Sequence, residues 1–315
     1  MMNCLKPSLM LALGAATAFA AVDPDLLGLV MPDAQAVSGV QVDSVRSSPF
    51  GQYVISQIQI DPGLNQIMTA TGFDPRRDLR ELVAAHSTPQ SGLVIGRGTF
   101  QPTLISNAAV QGGAVSTNYR GFVILTGKGT NQTGAAAFLD NTTTTVLLGD
   151  IASVKAAIDR HIAGTAFSGP LAQTAMQVSA NNDIWFAANQ SPATFFSGST
   201  PNPGMNNLAN AFQAIQQMSG GVKFASSGVT VGVALVARSP QDAQSIVDVG
   251  KFFASMVQTN SSQSPGAATA ATFAQAATFV ANGSVATLTL SLPEPQLEQL
   301  LMPSSTAKTR RASAR

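Results

Sequence analysis

The sequence predicts an α+β protein made of two similar modules, each with a mainly antiparallel sheet packed by helices. Three observations carry this. Short apolar runs of strand length alternate with segments whose apolar residues recur at helical spacing. Turn pairs that join antiparallel neighbours, Asp140-Asn141 and Asn282-Gly283, sit between runs of strand type. Two passages, before and after residues 164–180, repeat this alternation in pattern though not in identity. One continuous sheet shared by both halves is the alternative arrangement.

Residues 1–20 read as a secretory signal peptide. Lys6 supplies the positive start, residues 9–19 form a short apolar run, and Ala18-Phe19-Ala20 suits cleavage before Ala21. Cys4 precedes the apolar run, so cleavage removes the single cysteine. Export without disulfides points to a bacterial protein whose core is large enough to be stable unaided. The first module is expected over residues 21–165. In it, residues 26–30 read as a strand ended by Pro32-Asp33-Ala34, and residues 49–58 as a helix. Residues 74–82 read as a short polar helix with apolar ends, with His86 at a helix end ahead of Pro89.

Residues 92–98, GLVIGRG, read as a strand, and residues 102–110 as a helix with Pro102 in its first turn. Residues 119–126, YRGFVILT, read as one further strand. Residues 135–140 and 143–148 make a hairpin around Asp140-Asn141. Asp150 caps a helix through Ile162, with Val154, Ala157 and Ile158 on its apolar face and Gly164 as its stop.

The second module is expected over residues 166–302. Residues 183–187 read as a strand. Residues 192–217 read as mostly helical after a loop at 197–204, with Ala211, Phe212, Ile215 and Met218 on one face and Gly220-Gly221 as the stop. Residues 222–224 and 229–236 read as strands. Ser239 caps a helix over residues 240–257, followed by a loop at 260–268 turning at Pro265-Gly266. A short helix at 269–277, a hairpin around Asn282-Gly283 and a closing helix at 294–301 complete the module. Residues 303–315 form a disordered basic tail with four bases and no acid.

Four stretches resemble those of exported bacterial proteins of unknown function with two related α+β modules. They are residues 29–34 (LVMPDA), Tyr119-Arg120-Gly121, residues 146–150 (VLLGD) with the helix that follows, and residues 183–186 (DIWF). The resemblance implies the fold and export. It implies no catalytic residue.

Composition then narrows function. Charged residues make up 10% and apolar residues 45%, with a net charge of +1. That excludes a nucleic-acid binder, which needs concentrated positive charge, and a disordered chain. No run after residue 30 is apolar enough for a membrane span, so none is expected after signal cleavage. Two isolated histidines and no mature cysteine cannot form a usual zinc site. Gly96-Arg97-Gly98 and Gly127-Lys128-Gly129-Thr130 lack the remaining residues of a phosphate cradle. No Gly-x-Ser-x-Gly elbow occurs, and only His86 and His161 could act as a histidine base. No catalytic, metal or cofactor residue is assigned and no cofactor is expected.

The expected function is that of an exported, non-catalytic cell-envelope protein acting as a binding or interaction module, in the periplasm or outside the cell. Its partner would be an envelope protein or a small apolar ligand. One alternative is a carrier of a small apolar ligand in a cavity between sheet and helices. A second is a hydrolase with a dispersed active site at His86 or His161. Trp185, on a strand between Ile184 and Phe186 whose alternation turns one face inward, reads first as a core residue and Tyr119 as half-buried; the same two are the candidate ligand-binding residues.

Overall fold

The computed structural model describes residues 21–60, 62–88, 90–129, 133–139, 144–191, 211–259, 265–293 and 296. Its strands are β1 (Ala36–Gln41), β2 (Leu79–Thr88), β3 (Ser91–Gly98), β4 (Val115–Tyr119), β5 (Phe122–Thr126) and β6 (Gly134–Phe138). They continue with β7 (Thr144–Asp150), β8 (Ile184–Ala188), β9 (Ile215–Ala225), β10 (Gly228–Ala237), β11 (Ala277–Asn282) and β12 (Val285–Leu292). All belong to one 12-stranded sheet in the order β11-β12-β10-β9-β8-β1-β2-β3-β7-β6-β5-β4. Every neighbouring pair is antiparallel. The protein is therefore α+β, as its sequence indicates. The strands of both halves share the one sheet, joined where β1 pairs β8 from Ala36 opposite Ala188 to Val40 opposite Ile184.

The helices are α1 (Pro24–Leu27), α2 (Val42–Ser47), α3 (Pro49–Ser56), α4 (Pro62–Thr71), α5 (Pro75–Asp78), α6 (Pro102–Gln111), α7 (Ile151–Ala163), α8 (Pro170–Ser179), α9 (Pro240–Thr259) and α10 (Pro265–Ala276). They lie on both faces of the sheet. On one face, Val83, Leu93, Ile95, Leu147 and Trp185 pack against Leu26 and Leu27 of α1, Val154, Ala157 and Ile158 of α7, and Leu171 and Ala175 of α8. The alternate residues Val40, Ile184, Val222 and Val231 face the other way, toward α2, α3 and α10. On that second face α9 covers one end of the sheet, packing Ala243 and Val247 against Ala237 and Ala286.

Local chemistry explains several boundaries. The Asp150 carboxylate accepts the Ser153 N–H at 2.9 Å, and Gly164 ends α7 with φ of 61°, a conformation that favours glycine. The Ser239 hydroxyl caps α9 by accepting the Asp242 N–H at 3.1 Å. The hairpin β11–β12 turns at Gly283-Ser284, with Gly283 at φ of 54°.

Five sequence readings are corrected. Residues 26–30 are not a strand. Asp23 caps α1 by accepting the Asp25 N–H at 2.8 Å, and turns carry Leu29 and Val30 into the core. The expected helix at 74–82 stops at Asp78, and residues 79–88 form β2, which places His86 on a strand. Glu81 occupies an inward position of β2, which interrupts the apolar alternation that marks a strand. Residues 119–126 are a hairpin rather than one strand, because Arg120 and Gly121 both take positive φ, 52° and 93°. Residues 215–225 are a strand rather than the end of a helix. Gly220 and Gly221 lie inside it, where a Cβ would stand 2.4 Å from the carbonyl oxygens of Gly232 and Ile184. Pro265-Gly266 opens α10 instead of forming a turn. The signal peptide, the basic tail, the loop at 197–204 and most of the closing helix lie outside the described residues.

Candidate functional site

A cavity of about 630 Å³ lies under the second face of the sheet, at the end formed by β2, β3, β7, β6 and β5. Its floor is made of outward alternates of those strands: Leu82, Val94, Gly96, Ala136, Val146 and Leu148. The neighbours Val83, Leu93, Ile95, Ala137 and Leu147 point into the core on the opposite face. These strands are thus apolar on both sides, unlike half-solvated antiparallel strands with one polar face. The central strand β7 gives the floor Val146 and Leu148, flanked by the small residues Gly96 of β3 and Ala136 of β6.

The roof is α4 and α6, contributing Leu64, Ile67, Ile105 and Ala109. Neither PGLNQIMTAT nor PTLISNAAVQ contains a charged residue, and α6 has no buried residue at all. By contrast, α7 buries Val154, Ala157 and Ile158 against the opposite face. The roof therefore stands off the sheet. Val94 and Leu148, on inner strands, remain 38% and 45% exposed as a result. One end of the cavity is an aromatic wall, in which Phe73 meets Phe100 edge-on at 5.5 Å and Phe100 meets Phe138 at 5.9 Å.

No charged side chain lines this cavity among the described residues. Size and lining match a site for a small apolar ligand, since such sites are roughly 300–1,000 Å³ and mostly apolar. Charge lies behind and beside it. Arg76 and Arg77 hold the Asp74 and Asp78 carboxyls below the usual carboxylate range through side-chain hydrogen bonds. On the other face, the Glu81 carboxylate accepts the Asp23 N–H at 3.1 Å and the Gln41 amide at 2.8 Å. Burial pushes its pKa up to about 7. Arg97, opposite Glu81 on β3, is paired with Asp23.

The two aromatic residues singled out in the sequence stand elsewhere. Trp185 is 1% exposed and lies over Gly39 of β1, on the face away from the cavity. Tyr119 donates its hydroxyl to Asp159 at 3.0 Å and carries the Lys155 ammonium 5.2 Å from its ring centre. It fastens the β4–β5 hairpin to α7. Neither residue lines the cavity. His86 is half-buried on β2, and His161 sits edge-on to Phe122 at 5.8 Å in the last turn of α7. Among the described residues neither imidazole hydrogen-bonds a serine or a carboxylate. The floor and roof residues went unnoticed in the sequence. Their signals were present in the doubly apolar strands 93–96 and 146–148 and in two helices without charge.

No protein-family model matches the chain, and no curated protein matches it. Among solved structures it is similar to the bacterial (Treponema) protein TP0453. Crystal form III aligns with a TM-score of 0.55 and 12% identity over 89% of this chain and 98% of that one. Crystal form IV aligns with a TM-score of 0.50 and 10% identity over 89% and 97%. The likeness is one of fold. Among the described residues no helix is long and apolar enough to cross a membrane.

Proposed function

We propose that this chain is an exported, non-catalytic binding protein of the cell envelope that holds a small apolar ligand between its sheet and the helices α4 and α6. The observation that carries the reading is the cavity of about 630 Å³ with its apolar floor and uncharged roof. Enclosing apolar surface of this kind gives a ligand a favourable transfer of roughly 25 cal/mol per Å² removed from water. Export is supported by the sequence of residues 1–20, and a binding rather than catalytic role by the scarcity of histidine and cysteine.

The test pairs native mass spectrometry with a dye. Protein purified from its own envelope fraction is expected to begin at Ala21 and to carry extra apolar mass. The purified chain is expected to bind N-phenylnaphthylamine with a rise in fluorescence. Ala136→Trp, which fills the floor with apolar volume, is expected to abolish that rise while circular dichroism stays native. Dye binding that survives unchanged in a folded Ala136→Trp variant would overturn the assignment of the cavity.

A further inference from the structure

The polar end of the ligand can be specified from the mouth of the cavity, on the basis of the ligand-binding reading above. A second hollow of about 520 Å³ opens beside the apolar cavity and shares Ile67, Ala109, Ala114 and Gly127 with its lining. This shared lining lets a molecule with its tail in the cavity place its other end in the hollow. The chemistry changes across that boundary. The hollow presents the amides of Gln66 and Gln111 and, as its one charged side chain among the described residues, Lys128.

Lys128 has no role in holding the fold together that would explain its place. It is exposed and makes no hydrogen bond or ion pair among the described residues. It does not cap the end of α6. The Ala108, Ala109 and Val110 carbonyls there already accept the N–H groups of Gly112, Ala114 and Gly113, each at 2.9 Å. The lysine stem instead lies across Gly113, its Cδ 4.0 Å from where a Cβ would stand. Gly113 has φ of 101°, so the chain there favours the residue that leaves this space open. With no charge on α4 or α6, the Lys128 ammonium sets the sign of the potential at the mouth.

We propose that the ligand is a single-chain amphiphile with an anionic headgroup, its tail under α4 and α6 and its carboxylate or phosphate at Lys128. The experiment is competition for bound N-phenylnaphthylamine by four chain-matched compounds: decanoate, decyl phosphate, decanol and decyltrimethylammonium. Each is titrated against the full mature chain and against Lys128→Met, which keeps the stem and removes the charge. One solvent-exposed ion pair is worth about a threefold to fivefold preference at low salt. The anions are therefore expected to compete at about threefold to fivefold lower concentration than decanol, with the cation weakest. The preference is expected to shrink at high salt and to vanish in Lys128→Met. Preference for either anion over the other assigns the headgroup and supports the proposal. Equal competition by all four, or a preference that Lys128→Met leaves unchanged, overturns the headgroup assignment while the apolar site stands. Failure of all four to compete, decanol included, defeats the ligand reading of the cavity itself.

Discussion

Glu81→Gln is expected to stabilise the protein above pH 7 and to change it little near pH 5, because the Glu81 carboxyl has its pKa raised from 4.5 to about 7. The cause is burial. The residue is 8% exposed on the inward side of β2, and the hydrogen bonds it accepts from Gln41 and the Asp23 N–H leave most of the desolvation uncompensated. Arg97, across the strand, is already engaged by Asp23. A pKa raised in the folded state means that the native protein keeps a proton which the unfolded chain releases. Stability then falls as pH rises from about 4.5 through about 7. At 1.36 kcal/mol per pH unit, the full cost of ionising Glu81 in place is about 3 kcal/mol. Glutamine keeps an oxygen to accept from Asp23 and Gln41 but has no charge to bury.

Urea unfolding of both proteins at about pH 5 and about pH 8.5 measures the difference directly. The wild type is expected to lose about 2–3 kcal/mol across that interval relative to the variant. Asp74 and Asp78 do not confuse the result. Their pKa values are lowered below 3.8 by Arg76 and Arg77, so their contribution is complete above that pH and is lost only below it. Parallel pH profiles for the two proteins would refute the reasoning, because they would mean that water or a cation already compensates the charge.

Two further outcomes follow from the packing of the sheet centre. Gly39→Ala places a methyl 2.5 Å from the Trp185 ring between two paired strands, and is expected to cost about 1–3 kcal/mol; an unchanged thermal midpoint would show that the ring can yield. Asp183→Ala removes a carboxylate that is 3% exposed and accepts the Phe224 N–H and the Lys223 ammonium, each at 2.8 Å. It is expected to cost about 3 kcal/mol in denaturant unfolding, and a loss under about 0.5 kcal/mol would mean that the site rehydrates.

Much of the fold was legible because its signals are local. Asp150 and Ser239 form caps, Gly164 takes a left-handed stop, and Asn282-Gly283 opens a hairpin turn. Each depends on residues within a turn of one another, so the chain states them directly. The readings that failed depend on distant partners. Residues 79–88 and 215–225 become strands only because β1, β3, β8 and β10 supply their hydrogen bonds. Polar Glu81 and the pair Gly220-Gly221 hid them locally. The cavity lies further still from local pattern. Its floor comes from four strands and its roof from two helices that are separate in the chain.

By itself, then, the sequence determined the α+β class, the caps at Asp150 and Ser239, the stop at Gly164, the last hairpin and the low charge. Those follow from composition and short-range hydrogen bonding. Only the tertiary structure decided that both halves share one sheet and that the apolar alternates of β2, β3, β6 and β7 face a cavity. Side-chain alternation gives each strand two faces, but what covers a face is set by long-range packing that no local pattern encodes.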